Sequence, residues 1–574
     1  MRKHISIVIA ITVLSCATSL FAQEKSKDTL DSGVVNVVRP YSPSVNDAFK
    51  VKETPTLDDE TTTTKKEVKY NIFSFPVAST FTPAKGKAAD VEKAKPVKLY
   101  DNYATLGVGT YTTVLGEVYL NHALSRSESV GGYFSHHSSQ GGIDGLLTDD
   151  KFYKTKLNAN YSQKQRDLSW RVEAGFEHQI FNWYGIANPP YDQTDANALD
   201  VKHTFYGIHV GGDLNFEDTY INSGSVLFRR FGDNQGSGEN HFTGKAVVDV
   251  PIADEEISTG VHIDYLGGSF DKNYYNTGDI NYGNFQVGLS PTYQMIQDDW
   301  TLNLGVSLYY LNDTEAGRNK FYIYPNMTAT YRVVSDVLIA YGGIEGGLIQ
   351  NTYHNFANEN PFVSPTLYVM PTDKQYDVYV GLKGKLSNNM SYNISGNYKA
   401  ERSKALYKNN ELLGAGEDYT FGNSFGIVYD DVSTYGIAGE LNVDVNRNFT
   451  LTLKGEYFGY STDLEAEAWN LPDFKASLFL DYQIDEHWFA GANLFYVGER
   501  KDLYFYPNLV LPVSEVVTLD SYFDANAHVG YHVNDRWSVF LKGNNLANND
   551  YQRWQNYPVQ GIQVLAGATY KFDF

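Results

Sequence analysis

The last strand-like stretch of the chain constrains everything before it. Ile562, Val564, Ala566, Ala568, Tyr570, Phe572 and Phe574 share one parity, and Gln563, Gly567, Thr569, Lys571 and Asp573 share the other, with Leu565 the one apolar exception. A period of two sends successive side chains to opposite faces of a strand. The same alternation runs through Phe523, Ala525, Ala527, Val529, Tyr531 and Val533 against Asp524, Asn526, His528, Gly530 and His532. An apolar face backed by a polar one is what a β-barrel in a bilayer requires. The apolar side meets lipid and the polar side meets a wet lumen.

Bulk properties agree once that pattern is known. Mean hydropathy over the 574 residues is −0.37, which alone would suggest a soluble protein. Barrels give this reading because half of each strand is polar. The 45 tyrosines suit aromatic girdles at the two membrane interfaces. The net charge of −22 argues against nucleic acid as a partner and is consistent with polar loops and an acidic lumen.

Cys16 is the only cysteine, so no disulfide framework is expected. Arg2, Lys3 and His4 precede a short apolar run from Ile5 to Leu14, and Ser19-Leu20-Phe21-Ala22 offers a cleavage site before Gln23. This reads as a secretory signal peptide over residues 1–22; the rival is a lipoprotein signal cut before Cys16. No later apolar run reaches the roughly 18 residues of a spanning helix.

Residues 23–97 hold Thr61-Thr62-Thr63-Thr64, Lys65-Lys66 and many charges. They bury too little apolar surface for a core and are expected to be largely irregular, as a periplasmic or lumenal segment. Within them Val34, Val35, Asn36, Val37 and Val38 form a β-prone run. It is suited either to adding a strand to a partner's sheet edge or to resting on the chain's own barrel.

Residues 98–574 are expected to be the barrel. Ten short polar connections punctuate them, from Arg126-Ser127 to Asn534-Asp535-Arg536. Ten turns on one side imply an all-β, antiparallel transmembrane barrel of about 22 strands. Residues 418–445 read either as one long strand or as two short ones, leaving counts of about 20 or about 24 open. Glu440, Asn442, Asp444, Lys454 and Glu456, with Asp524, Asn526, His528 and His532, are expected to line the lumen.

The longer connections include residues 140–151, 183–199, 231–240, 271–278, 351–371, 402–417 and 501–516. Those holding Trp183-Tyr184 and Tyr504-Phe505-Tyr506-Pro507 are aromatic. Such residues either stack on sugars or anchor a partner protein, or they line the outer interface girdle or pack on one another.

Chemical motifs are weak. Gly422-Asn423-Ser424-Phe425-Gly426 matches the nucleophile pattern G-x-S-x-G, but strand-like sequence follows where a helix is needed. His528 and His532 share a face yet lie about 13 Å apart on a strand, too far for one ion. No catalytic residue, metal site or cofactor is expected.

The ending resembles TonB-dependent outer-membrane receptors. Asn544-Asn545-Leu546, the aromatic loop from Tyr551 to Tyr557, Pro558, Gly561 and the strand to Phe572 carry the resemblance, and Ile562 departs from the Arg often found there. The final aromatic also resembles the C-terminal signal of outer-membrane barrels, which implies that Tyr570, Phe572 and Phe574 address the barrel-assembly machinery. The family carries a folded plug domain, whereas only about 75 residues separate Gln23 from the first strand. The plug is therefore expected to be absent or vestigial.

The resemblance implies a Gram-negative outer-membrane location, contact with outer-membrane lipid, and a transport channel or receptor for a polar solute. It also implies a TonB-type energy transducer meeting the segment near Val34–Val38, or another outer-membrane or periplasmic protein as partner. The alternative is a non-enzymatic structural or partner-binding subunit of an outer-membrane assembly.

Overall fold

Alternation with one apolar face leaves each strand needing two neighbours, and the chain supplies them in sequence. The computed structural model describes residues 98–574 apart from 189, 218, 253–254, 414–415 and 507–512. In it a 22-stranded antiparallel sheet forms by pairing each strand with the next. The first strand, Asn102–Gly109, pairs with the last, Gln563–Phe572, from Asn102 opposite Phe572 to Gly109 opposite Leu565. The sheet is thus a closed barrel, and closure removes its edges. Val34–Val38 and the rest of residues 1–97 lie outside the described residues.

All ten expected short turns lie at one end. The opposite end carries eight long connections and three short ones. Two boundaries differ from expectation. The connection expected at 231–240 is only a turn at 234–237, because the ladder continues through Phe231 opposite Glu239 and Gly232 opposite Gly238. The Asp233 carboxylate accepts from the Gln235 and Ser237 amides, and Gly236 takes φ +91°, which closes so tight a turn. The stretch 402–417 is strand as far as Asn409, where its loop begins. The ambiguous stretch 418–445 resolves into one strand, Phe425–Asn446.

The two faces separate as the alternation predicts. Leu304 and Leu308 are exposed on the outer surface, while Ser307 between them is buried and accepts from the Ser290 hydroxyl at 2.8 Å. Leu453 and Tyr457 point outward, while Lys454 and Glu456 pair at 2.8 Å on the other face. Trp300 stacks on Tyr331 at 4.2 Å and Trp537 lies 4.7 Å from Tyr570, outer-face aromatic pairs close to the short turns. The apolar exception Leu565 packs inward against Leu115 and Phe540. The inner wall is mixed rather than acidic. Lys156 lies 3.8 Å from Glu177, and Lys154 and Lys542 sit over the Phe181 and Phe540 rings.

A charge on the outer face therefore faces hydrocarbon, and one on the inner face does not. Leu453→Arg should lower barrel folding stability by about 2–4 kcal/mol in lipid vesicles, with Thr452→Arg close to neutral. Equilibrium unfolding in urea with both variants checks this.

Candidate functional site

Four of the long connections, 183–201, 350–371, 410–424 and 545–562, do not splay away from the barrel. They converge over its mouth and build an aromatic core there. The Trp183 ring is fully buried, 4.3 Å from His203 and 5.5 Å from Tyr419. Phe362 stacks on Tyr557 at 3.7 Å, and Tyr184 meets both rings. Trp554 contacts Tyr407 and Phe425. Apart from His203, Tyr407 and Phe425, which stand on strand ends, these rings come from connections 183–201, 350–371, 410–424 and 545–562, which leave the barrel at separate points of its circumference. They can meet only across the lumen.

Backbone hydrogen bonds fasten the connections to one another. Ala187 N–H donates to the Phe421 carbonyl at 3.2 Å, and the Asn423 side chain donates to the Trp183 carbonyl at 3.2 Å. The Tyr557 hydroxyl donates to the Asn423 carbonyl at 2.5 Å. Phe425 N–H donates to the Phe362 carbonyl and Ser364 N–H to the Phe425 carbonyl, a short parallel bridge. Buried loop backbone needs such partners, because water no longer reaches it.

Connection 350–371 reaches the wall residues Asp233, Glu239, Glu177 and Gln179. Its helix, Tyr353–Glu359, is capped by the Thr352 hydroxyl accepting from Asn355 N–H. The Tyr353 hydroxyl donates to Asp233 at 2.6 Å, and Tyr353 N–H donates to Glu239 at 2.6 Å. His203 shares the Asp233 carboxylate at 3.1 Å, and the Tyr282 hydroxyl reaches Glu239 at 3.0 Å. His354 pairs with Glu177 at 2.8 Å, and Gln179 donates to Asn358 at 3.0 Å. Wall carboxylates thus act as acceptors for a loop that crosses to them. A buried carboxylate holds its place when several donors surround it.

A hairpin, Arg500–Tyr506 with Val513–Leu519, rises beyond the barrel and pairs only with itself. At its base Asp502 accepts from Asn409 N–H, Leu503 N–H and the Asn470 amide, all within 2.9 Å. Burial pushes its pKa up to about 6, against the lowering effect of those hydrogen bonds.

The expected lumen-lining residues divide. Glu440, Asn442, Lys454 and Glu456 lie on the polar face, with Asn442 donating to Glu440 and accepting from Thr452 at 2.7 Å each. Asp444 is exposed near the short turns. His528 and Lys542 lie opposite each other in register, and the His532 ring lies 4.8 Å from Phe489. Asp524 and Asn526, of the same parity, also contact the cap. Asp524 accepts from the Tyr551 hydroxyl at 3.0 Å, and Asn526 accepts from Asn545 N–H at 3.0 Å.

Ser424, in the nucleophile-like motif, is fully buried. It donates to the Tyr419 carbonyl at 2.7 Å, accepts from Asn410 at 2.9 Å and leads into a strand. The missed residues are the anchors Asp233, Glu239, Tyr353, Asn423 and Asp502. The density of aromatics in the long connections was their only local signal.

No family model matches the chain, and no curated protein does. Solved structures share the fold. The siderophore receptor PirA from Acinetobacter baumannii is 12% identical with a TM-score of 0.60, over 83% of this chain and 81% of that one. The FrpB iron transporter from Neisseria meningitidis is 11% identical with a TM-score of 0.62, over 83% and 82%. The ferripyoverdine receptor of the outer membrane of Pseudomonas aeruginosa is 12% identical with a TM-score of 0.60, over 84% and 73%. At such identities the likeness is one of fold. The chain has the 22-strand barrel of TonB-dependent receptors, as its C-terminal resemblance implied.

Because folding raises the Asp502 pKa, the folded state holds that proton more tightly than the unfolded chain. Its contribution is full below the ordinary value of 3.8 and is lost as pH rises through about 6. Amide hydrogen exchange in the hairpin, corrected for intrinsic rates, should show stronger protection at about pH 4 than at about pH 7. Protection independent of pH would remove Asp502 as the cause.

Proposed function

We propose that the chain is an outer-membrane receptor barrel that admits a polar solute, and that its long loops form the outer gate. The observation that carries this reading is the interlocked aromatic cap over a polar-walled 22-strand barrel. The shared fold of the siderophore and iron receptors supports the location and the class, and the solute itself follows from neither. The long loops then face outside and the short turns face the periplasm.

Residues 1–22 act as the signal peptide, 23–97 as a separate segment and 98–574 as the barrel. Glu440, Asn442, Asp444, Lys454, Glu456, Asp524, Asn526, His528 and His532 line the lumen, while Tyr570, Phe572 and Phe574 address barrel assembly. Val34–Val38 offer a strand to a TonB-type transducer. Selection rests on wall charge and loop geometry, with no covalent chemistry. The occupied hydroxyl of Ser424 supports that view.

A partner-binding subunit is the second reading. It is favoured by the number of buried anchors, which suit a fixed surface as well as a gate.

Planar-bilayer conductance separates the two. The full chain should be nearly silent, and a variant with residues 352–369 replaced by a short Gly-Ser linker should give large steps. Large steady conductance from the full chain would remove the gate. Silence from both, with the barrel shown folded by circular dichroism, would leave the partner-binding reading.

A further inference from the structure

The inner wall carries a second feature, at the short-turn end and away from the cap. Here the register aligns inward-facing residues of successive strands into two rows. One runs Ser129, Ser162, Arg171, Asp213, Ser225, Lys245, each opposite the next. The other runs Lys164, Ser169, Asn215, Ser223, Val247. Their strand neighbours Val172, Leu214 and Val226 are exposed on the outer surface, which fixes these rows as inner. Together they line an open trough of about 720 Å³.

Its relief follows from side-chain length. Serines, with one Asn and one Asp, make a low floor rich in hydroxyl groups. Lys164, Arg171 and Lys245 stand above it. Lys164 and Arg171 lie on adjacent strands one row apart, about 8 Å between backbones. Lys245 stands three strands from Arg171, on the order of 14 Å. Arg171 has a partner, Glu173 at 3.2 Å. Lys164 and Lys245 have no ion-pair partner among the described residues. Arg126 and Glu128 also line the trough and Asp213 lies between Arg171 and Ser225, so it carries four cations against two carboxylates in a chain of net charge −22. Arg171 and Lys245 flank Asp213, Asn215, Ser223 and Ser225 on the two intervening strands.

We propose that this trough binds an elongated, polyhydroxylated dianion, a saccharide bearing two phosphate or carboxylate groups. One anionic group lies between Lys164 and Arg171, and the other meets Lys245. The serine hydroxyls and Asn215 exchange hydrogen bonds with the sugar hydroxyls between them. The volume lies within the usual range for small-molecule sites, roughly 300–1,000 Å³. The long cationic side chains are flexible enough to close on groups somewhat nearer than their backbones. The inference needs only the folded barrel, and binding is read in solution, so it stands or fails separately from gated passage.

The test is calorimetric titration of the detergent-solubilised full chain with fructose 1,6-bisphosphate, fructose 6-phosphate, fructose and inorganic phosphate. The bisphosphate should bind at least about tenfold more tightly than the monophosphate, and more weakly as salt screens the charges. Lys245→Gln should bring the bisphosphate down to the monophosphate's affinity and leave the monophosphate unchanged. Lys164→Gln should weaken both. These lysines are exposed and outside any described ion pair, so neither change threatens the fold. Equal affinity for the two sugar phosphates, or no effect of Lys245→Gln, would overturn the two-point site. Inorganic phosphate binding as well as fructose 6-phosphate would overturn the saccharide assignment. Absence of binding by every probe would overturn the proposal whole.

Discussion

In a barrel that lies in lipid, every strand amide and carbonyl must find its partner in the sheet, because hydrocarbon offers none. The pairing of Asn102–Gly109 with Gln563–Phe572 completes that condition. Closure then imposes a second condition. The outer face must be apolar and the inner face is left polar, so the barrel encloses a hydrophilic space. Everything notable in this chain is a way of handling that space. The wall pairs charges across strands, as Lys454 does with Glu456. The mouth is roofed by loops, and the opposite end keeps an open, cation-bearing trough.

The roof shows how loops become a core. Eleven connections leave the long-loop end, and the longest hold bulky rings that would be costly to leave in water. Meeting over the lumen buries Trp183, Tyr353, Phe362 and Tyr557 together. Burial strips water from the loop backbone, so its polar groups turn to one another and to carboxylates on the wall. Asp233 and Glu239 sit where strands reach the mouth, and each receives donors from Tyr353. A hydrophobic effect without direction gathers the loops. Hydrogen bonds with direction decide which loop lies where.

The fold was largely legible because period-two alternation survives in a single strand, and a polar turn needs only two or three residues. Even the 22-strand count could be read from ten turns. What failed was long-range. Residues 231–240 look like loop, yet the ladder passes through Gly232 and Gly238, and a glycine pair carries no alternation to read. The cap was less legible still. Asp524 has the inward parity, and nothing near it in sequence announces its partner Tyr551, which folds back over it from the next connection on that side. Glu239 and Tyr353 are separated by 114 positions in sequence, and nothing local in either announces the other. The aromatic richness of the loops was visible, and the choice between an outside ligand and mutual packing was not. The trough depends on register across six strands, a property that no single segment encodes.

The most direct test of a roofed barrel uses its cysteine content. Cys16, within the proposed signal peptide, is the only cysteine in the sequence. One cysteine placed at Ser514, on the exposed hairpin, and another at Ser225, on the inner wall, can therefore be labelled separately with a membrane-impermeant maleimide added to whole cells. A sealed roof predicts that Ser514→Cys reacts at once. Ser225→Cys should react only after the outer membrane is permeabilised, or when residues 352–369 are replaced by a short linker. Prompt labelling of Ser225→Cys from outside intact cells, with the cap unaltered, would contradict the account.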